Sequence, residues 1–171
     1  RMSEQPKGPP RTERDWEAMY ATNAVEGMPW FHEGLDPDVD RALDQLGIAR
    51  GRFLDLGTGP GTQAIEMAGR GFEVTASDLS PSAVAKASAR AARQGAHVHF
   101  LADDILATKL HGPFDLVLDR GCFHVFGPDR RAEYVATVAR LVAPGGHLFL
   151  KTFSSNQPGT EGPHRFTPEM I

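Results

Sequence analysis

Cysteine is nearly absent. The single Cys122 in 171 residues excludes an intramolecular disulfide and a multi-thiolate metal site, and it fits a reducing compartment. No apolar stretch approaches the ~18 residues that a bilayer-spanning helix needs, and the N-terminus carries no apolar signal core. Long basic runs are missing as well. Lys and Arg number 18 against 22 Asp and Glu, a net charge of −4, so the chain has no electrostatic footprint for nucleic acid. These absences predict a cytoplasmic protein with no membrane and no nucleic-acid partner, acting on a small molecule. The length suits one domain with a real hydrophobic core.

Residues 1–14, rich in Pro, Gly and charge, read as a flexible N-terminal arm ahead of a single domain over 15–171. Trp16, Met19 and Tyr20 can share one face of a short helix. An irregular stretch with Pro29, Trp30 and Phe31 follows. A second helix is predicted after Pro37, with Val39, Ala42, Leu43 and Leu46 at helical spacing and Gly47 near its end.

From residue 50 to 153 strand-like and helix-like patterns alternate. Strands are predicted at Phe53–Leu56, Glu73–Ser77, Val98–Leu101, Phe114–Leu118 and His147–Phe153. Helices are predicted at Thr62–Gly69, from Pro81 with Ser80 as its cap, and over Asp129–Val142. Such alternation gives an α/β fold: a Rossmann-like, doubly wound, mostly parallel sheet with helices on both faces. The unbroken apolar runs at 116–118 and 148–150 suit strands covered on both sides. Residues 154–165 read as a mobile loop, and Phe166-Thr167-Pro168-Glu169 as the start of a helix over 166–171. On this reading the C-terminal strands are missing from the chain, and an uncovered sheet edge is a point where copies could associate.

Within this pattern the segment Asp55-Leu56-Gly57-Thr58-Gly59-Pro60-Gly61 runs an apolar strand into a turn with glycine at alternate positions. Such a turn lets backbone approach a ligand and delivers it to the N-terminus of the helix opening at Thr62. Asp78 closes the next strand, about 20 residues on, where an acid can accept hydrogen bonds from ribose hydroxyls. The pair points to a nucleoside-containing cofactor. A nicotinamide fingerprint calls for glycine where this chain has Thr62, which speaks against an oxidoreductase.

That turn, Asp78, Ala102-Asp103-Asp104-Ile105, Phe114–Asp119 and Leu141-Val142-Ala143-Pro144-Gly145-Gly146 resemble, in order and spacing, the motifs of class I S-adenosylmethionine-dependent methyltransferases. The resemblance implies S-adenosyl-L-methionine as cofactor and S-adenosyl-L-homocysteine as product. It implies cofactor contacts from Asp55, Gly57, Thr58, Gly59, Gly61 and Thr62 at the methionine end, and from Asp78 with Leu79 at the ribose. Asp103 or Asp104 would accept from the adenine amino group while Ile105 packs on the ring. Asp119, at the carboxyl end of its strand, would face the cofactor's ammonium or the substrate. Trp16, Tyr20 and Pro29-Trp30-Phe31 resemble the cover over the cofactor in thiopurine-, thiol- and halide-type small-molecule enzymes, with Trp30 as the lid residue.

Methyl transfer from a sulfonium is an in-line displacement with a neutral leaving group, so positioning supplies most of the catalysis. The remaining task is removal of a proton from the acceptor. His124 is the candidate base, with Asp119 as the second catalytic candidate. Cys122 is not needed as a nucleophile and reads as a small buried residue. His97 and His99 share one face of a strand without a third ligand, so no metal site is expected. Arg120, Arg130 and Arg131 are the basic groups an anionic substrate would meet, although Arg130 and Arg131 fall on the solvated start of a helix. The predicted acceptor is a small aromatic, thiol or quinol-like molecule with an O, S or N nucleophile. The alternatives are a non-catalytic module that only binds the cofactor, or a nicotinamide-dependent oxidoreductase.

Overall fold

A computed structural model of the chain describes residues 15–159 and 162–171; the arm expected over 1–14 lies outside them. Five parallel strands form the central sheet: β1 (Arg52–Leu56), β2 (Glu73–Asp78), β3 (Val98–Ala102), β4 (Phe114–Asp119) and β5 (Val142–Leu150), in the order β3-β2-β1-β4-β5. The chain winds outward from β1 to β3, then returns to the other side of β1 with β4. The strand order therefore reverses between β1 and β4, and the crevice at their carboxyl ends is where open α/β sheets take ligands.

Successive residues of β1 and β4 point to opposite faces, and each face has its own cover. On one face Phe53, Leu116 and Leu118 pack with α2 (Pro37–Leu46) and α3 (Thr62–Gly69) through Val39, Leu43, Ala64 and Met67. On the other, Leu54, Leu56 and Val117 meet Tyr134, Val138 and Leu141 of α5 (Pro128–Leu141). α4 (Pro81–Arg93) lies beside α3 and carries α1 (Trp16–Thr22) on its outer side, where Ala83 joins Tyr20, Val25 and Met28 in a small cluster. Helix starts follow local chemistry: Asp15 caps α1, Asp36 caps α2 and Ser80 caps α4, each accepting a backbone N–H.

The doubly wound parallel sheet expected from the sequence is thus present, with three differences of detail. β5 begins at Val142, not His147, and carries the Pro144-Gly145-Gly146 turn inside it as a register shift against Phe114 and Leu116. Gly146 makes that possible, because a Cβ there would stand 2.9 Å from the Ala143 and Asp115 carbonyl oxygens. β5 also ends at Leu150, and Phe153 enters a separate parallel pair, β6 (Phe153–Ser154) with β7 (Arg165–Phe166). The ends of the segment read as a mobile loop are thereby tied together. The Ser155 N–H donates to the Phe166 carbonyl at 2.8 Å, and Phe166, 3% exposed, stacks on Phe123. Lastly, the helix expected over 166–171 is a single 3-10 turn at Pro168–Met170. No helix among the described residues is long and apolar enough to cross a membrane.

Candidate functional site

At the strand-order reversal lies a cavity of about 500 Å³. Its floor is the glycine turn after β1. Gly59 has φ 51° and Gly61 φ 79°, a region L side chains rarely adopt. Contact forbids a side chain at both as well: a Cβ at Gly59 would stand 2.6 Å from the Tyr20 hydroxyl, and one at Gly61 2.8 Å from Ala87 Cβ. Gly57, Thr58, Gly59 and Thr62 line the cavity, whereas Gly61 sits behind it against α4 and shapes the turn without facing the space.

Carboxylates define the walls. Asp78, buried at the end of β2, accepts from the Gly59 N–H at 2.9 Å and the Ser80 N–H at 3.0 Å, which ties the glycine turn to β2. Burial raises its pKa, with those backbone donors opposing. Asp55 accepts from the Thr58 hydroxyl at 2.7 Å. Its pKa is pushed up to about 7, chiefly by burial and partly by the charges of Asp78 and Asp119, against the Thr58 bond and the Arg120 charge. Leu79 just past β2 and Asp103, Asp104 and Ile105 past β3 continue the wall. Asp103 already holds the Thr108 hydroxyl at 2.6 Å and the Lys109 N–H at 2.8 Å, and Asp104 caps the turn Ile105–Ala107.

Over this floor lies an aromatic cover. The Trp30 indole N–H donates to the Tyr20 hydroxyl at 3.0 Å, and Trp16 meets Trp30 edge to face at 5.8 Å. Burial, reinforced by the Asp78 charge, pushes the Tyr20 phenol up to about 12, so it stays protonated. Glu17 anchors α1 by accepting from the Ser80 and Ser82 hydroxyls and the Ser82 N–H at the start of α4. Gln63 of α3 holds the next loop, accepting the Asp36 N–H at 2.8 Å and donating to the Gly34 carbonyl at 3.2 Å.

The loop after β4 forms the remaining wall. Here the expectation for Asp119 fails: the side chain is fully buried and does not line the cavity. Its oxygens accept the N–H groups of Gly121, Cys122 and Phe123 at 3.0, 2.7 and 2.9 Å, and the Tyr134 hydroxyl. The carboxylate organises the loop. Beside it, burial and then the Asp119, Asp78 and Asp104 charges push the Cys122 thiol well above its ordinary value, so it remains protonated. His124 does line the cavity and is 8% exposed. Burial pushes it down to about 4, against a bond to the Gly121 backbone and with help from His164, so the ring is neutral at ordinary pH. Its outer neighbours are Val125, Phe126, Phe153 and Pro163. His99 on β3 and His97 just before it are exposed and do not line this space.

The cavity suits a nucleoside cofactor on its own features. Thr62 Oγ1 and His124 Nδ1 are buried without hydrogen-bond partners, and both residues line the space, as groups awaiting a polar ligand do. Gln63, Asp36 and Phe153 do not stand out in the sequence. An isolated polar or aromatic residue outside a motif carries no signal until the fold brings it to the site.

The methyltransferase domain family matches residues 53–146. The chain is 29% identical over 164 residues to the 2-heptyl-1-hydroxyquinolin-4(1H)-one methyltransferase of Mycobacteroides abscessus, covering 91% of this chain and 72% of that protein. A solved structure from work on the conversion of a disulfide bond into a thioacetal group in echinomycin biosynthesis is similar at 33% identity and a TM-score of 0.72, over 81% of this chain and 59% of that one. The Burkholderia thailandensis 1,6-didemethyltoxoflavin-N1-methyltransferase, solved with 1,6-didemethyltoxoflavin and S-adenosylhomocysteine bound, follows at 31% identity and a TM-score of 0.60, over 72% and 53%. Similarity extends to a tRNA 5-carboxymethoxyuridine methyltransferase of Escherichia coli, 32% identical over 124 residues, 70% of this chain and 46% of its own length. This chain thus spans less than two thirds of both solved relatives.

The buried acids give separable outcomes. Because the Asp55 pKa rises from 3.8 to about 7 on folding, the protonated form is the one folding favours. Its contribution is complete below about pH 4 and disappears as pH rises through about 7. Urea unfolding of wild type and Asp55→Asn across pH 4–8 should therefore show the variant gaining relative stability up to about pH 7 and levelling off above it. For Asp119→Ala, unfolding should become easier by about 3 kcal/mol, because three N–H groups and a buried phenol lose their acceptor. Unchanged stability with lost methyl transfer would put that carboxylate in the chemistry instead.

Proposed function

The chain belongs to the methyltransferase domain family, and from that premise we propose that it transfers a methyl group from S-adenosylmethionine to an O, S or N atom of a small, flat, uncharged acceptor. The observation that carries the acceptor class is the cavity lining around His124. Val125, Phe126, Phe153 and Pro163 lie around a neutral His124, and Arg120, the one cationic side chain among the described residues that line the cavity, is already paired with Asp36. Apolar walls with one polar group select an aromatic or quinol-like body with a single hydrogen-bonding nucleophile. Relatives named for a hydroxyquinolinone and for didemethyltoxoflavin support the same class. The net charge of −4 weighs against nucleic acid as the acceptor, although one relative acts on tRNA.

When bound, S-adenosylmethionine supplies a sulfonium-activated methyl group and leaves as a neutral thioether. The residues that would hold it are Asp55, Gly57, Thr58, Gly59 and Thr62 at the turn, with Asp78 and Leu79 at the ribose and Trp30 above. Asp103 and Asp104 both line the cavity, and either carboxylate has a lone pair that its loop bonds leave open for an adenine amino group. Ile105 offers the apolar surface for the ring. Tyr20, Trp30 and Trp16 exclude water from the cofactor side.

His124 takes the proton. An imidazole held near pKa 4 is a poor base toward a free phenol, but it need not ionise one. Once methylated, a hydroxyl oxygen carries positive charge and is far more acidic than before, so a weak base suffices. The ring's low pKa keeps it in the proton-accepting form throughout the physiological range.

The test is transfer of labelled methyl from S-adenosylmethionine to a panel of phenols, quinols, thiols and N-heterocycles. His124→Gln should lower kcat by about 10²-fold with a hydroxyl acceptor and much less with a thiol that is already ionised. With a neutral acceptor and saturating S-adenosylmethionine, the wild-type profile of kcat/KM for the acceptor should show a fall toward the His124 value near 4 that is absent in His124→Gln. Binding of S-adenosylhomocysteine with no transfer across the panel would favour the cofactor-binding module over the enzyme.

A further inference from the structure

Arg120 follows β4 directly, yet its guanidinium reaches the far side of the cavity. Nη1 donates to Asp36 Oδ2 at 3.2 Å and Nη2 to the Trp30 carbonyl at 3.0 Å, so one planar fork holds both ends of the 30–36 loop. Asp36 is 7% exposed and is fastened from another direction by Lys151 Nζ, at 2.9 and 3.1 Å, just past β5. Lys151 is itself set by its N–H, which donates to the Asp119 carbonyl at 2.8 Å. Asp36 thus collects cations from the ends of two neighbouring strands. Burial disfavours its charge, but the Lys151 bonds, the Asp38 N–H and the nearby Lys151 and Arg120 charges outweigh that and keep it ionised.

The chain of contacts continues through Trp30. Its carbonyl is held by Arg120, its indole N–H by Tyr20, and the Tyr20 hydroxyl lies against Gly59. A displacement of Arg120 therefore moves the cover over the glycine turn. Arg120 is also joined through Gly121 to the loop that Asp119 organises and that carries His124. One residue thus bridges the acceptor-side wall and the cofactor-side cover.

We propose that Arg120 is a positioning residue that latches the Trp30 cover over the cofactor site and couples that cover to the acceptor loop, rather than a contact for an anionic acceptor. The inference rests on the methyltransferase reading of the cavity. Geometry explains why arginine is used: a planar fork satisfies a carboxylate and a carbonyl at once, which a single ammonium on a flexible stem does less well. It also makes removal informative, because Asp36 keeps Lys151 and the Asp38 N–H when Arg120 is lost, so no buried charge is stranded.

The experiment compares Arg120→Ala and Arg120→Lys in two settings. In a Trp16→Phe background, where Trp30 is the sole tryptophan, acrylamide quenching of the ligand-free protein reads the cover directly. Quenching should rise by about twofold or more in Arg120→Ala and by less in Arg120→Lys, with the thermal midpoint little changed. In the otherwise native chain, S-adenosylhomocysteine should dissociate about tenfold faster from Arg120→Ala, and the KM for S-adenosylmethionine should rise while kcat at saturation changes far less. Unchanged quenching and cofactor affinity, with a raised KM for the acceptor alone, would overturn the latch and make Arg120 an acceptor contact. Failure of the wild type to bind any S-adenosyl compound would reject the methyltransferase reading instead, and the ligand-free quenching would still decide whether Arg120 holds Trp30.

Discussion

Three carboxylates near the carboxyl ends of adjacent strands, Asp55, Asp78 and Asp119, are withdrawn from water, and the loops of the site are arranged around satisfying them. A buried carboxylate without donors is too costly to keep, so each must be met by hydrogen bonds from the chain that follows its strand. Asp55 binds the Thr58 hydroxyl, Asp78 binds Gly59 and Ser80, and Asp119 binds consecutive N–H groups of its own loop and Tyr134. The glycine turn, the start of α4 and the post-β4 loop are thus fixed by one requirement. The helices that cover the sheet supply the burial that makes the requirement strict.

The same constraint shapes the chemistry. The cavity has acidic side chains beneath and beside the glycine turn, where burial favours their protonated forms, and apolar residues around a neutral His124. Asp119 holds the loop from which His124 reaches the cavity, so its influence on transfer is exerted through position. Arg120 and Asp36 extend that arrangement across the space to the aromatic cover.

Much of this was legible in the sequence because the core is regular. Alternating apolar segments with a cap at Ser80 gave the sheet and helices, and the glycine spacing with Asp78 gave the floor of the cavity. Trp16, Tyr20 and Trp30 were recognisable as a cover, although only their contacts show how Tyr20 closes on Gly59. Other features were hidden by distance along the chain. Asp36, Arg120 and Lys151 meet across 84 and 115 residues, and no local pattern announces such a meeting. Asp119 misled for the opposite reason. Its place at a strand end is shared by ligand-binding and loop-capping acids, and only the directions of neighbouring N–H groups separate the two. The β5 turn was read as a loop because Pro-Gly-Gly usually breaks a strand, whereas here the missing side chain of Gly146 lets the strand press against β4.

The central claim is that the cavity over the glycine turn binds an S-adenosyl cofactor through Asp78. Calorimetric titration of the purified chain with S-adenosylhomocysteine tests it most directly. Saturable binding at one site per chain, weakened about tenfold or more in Asp78→Ala, is the expected result. No heat with S-adenosylhomocysteine, together with saturable binding of a nicotinamide nucleotide, would contradict it.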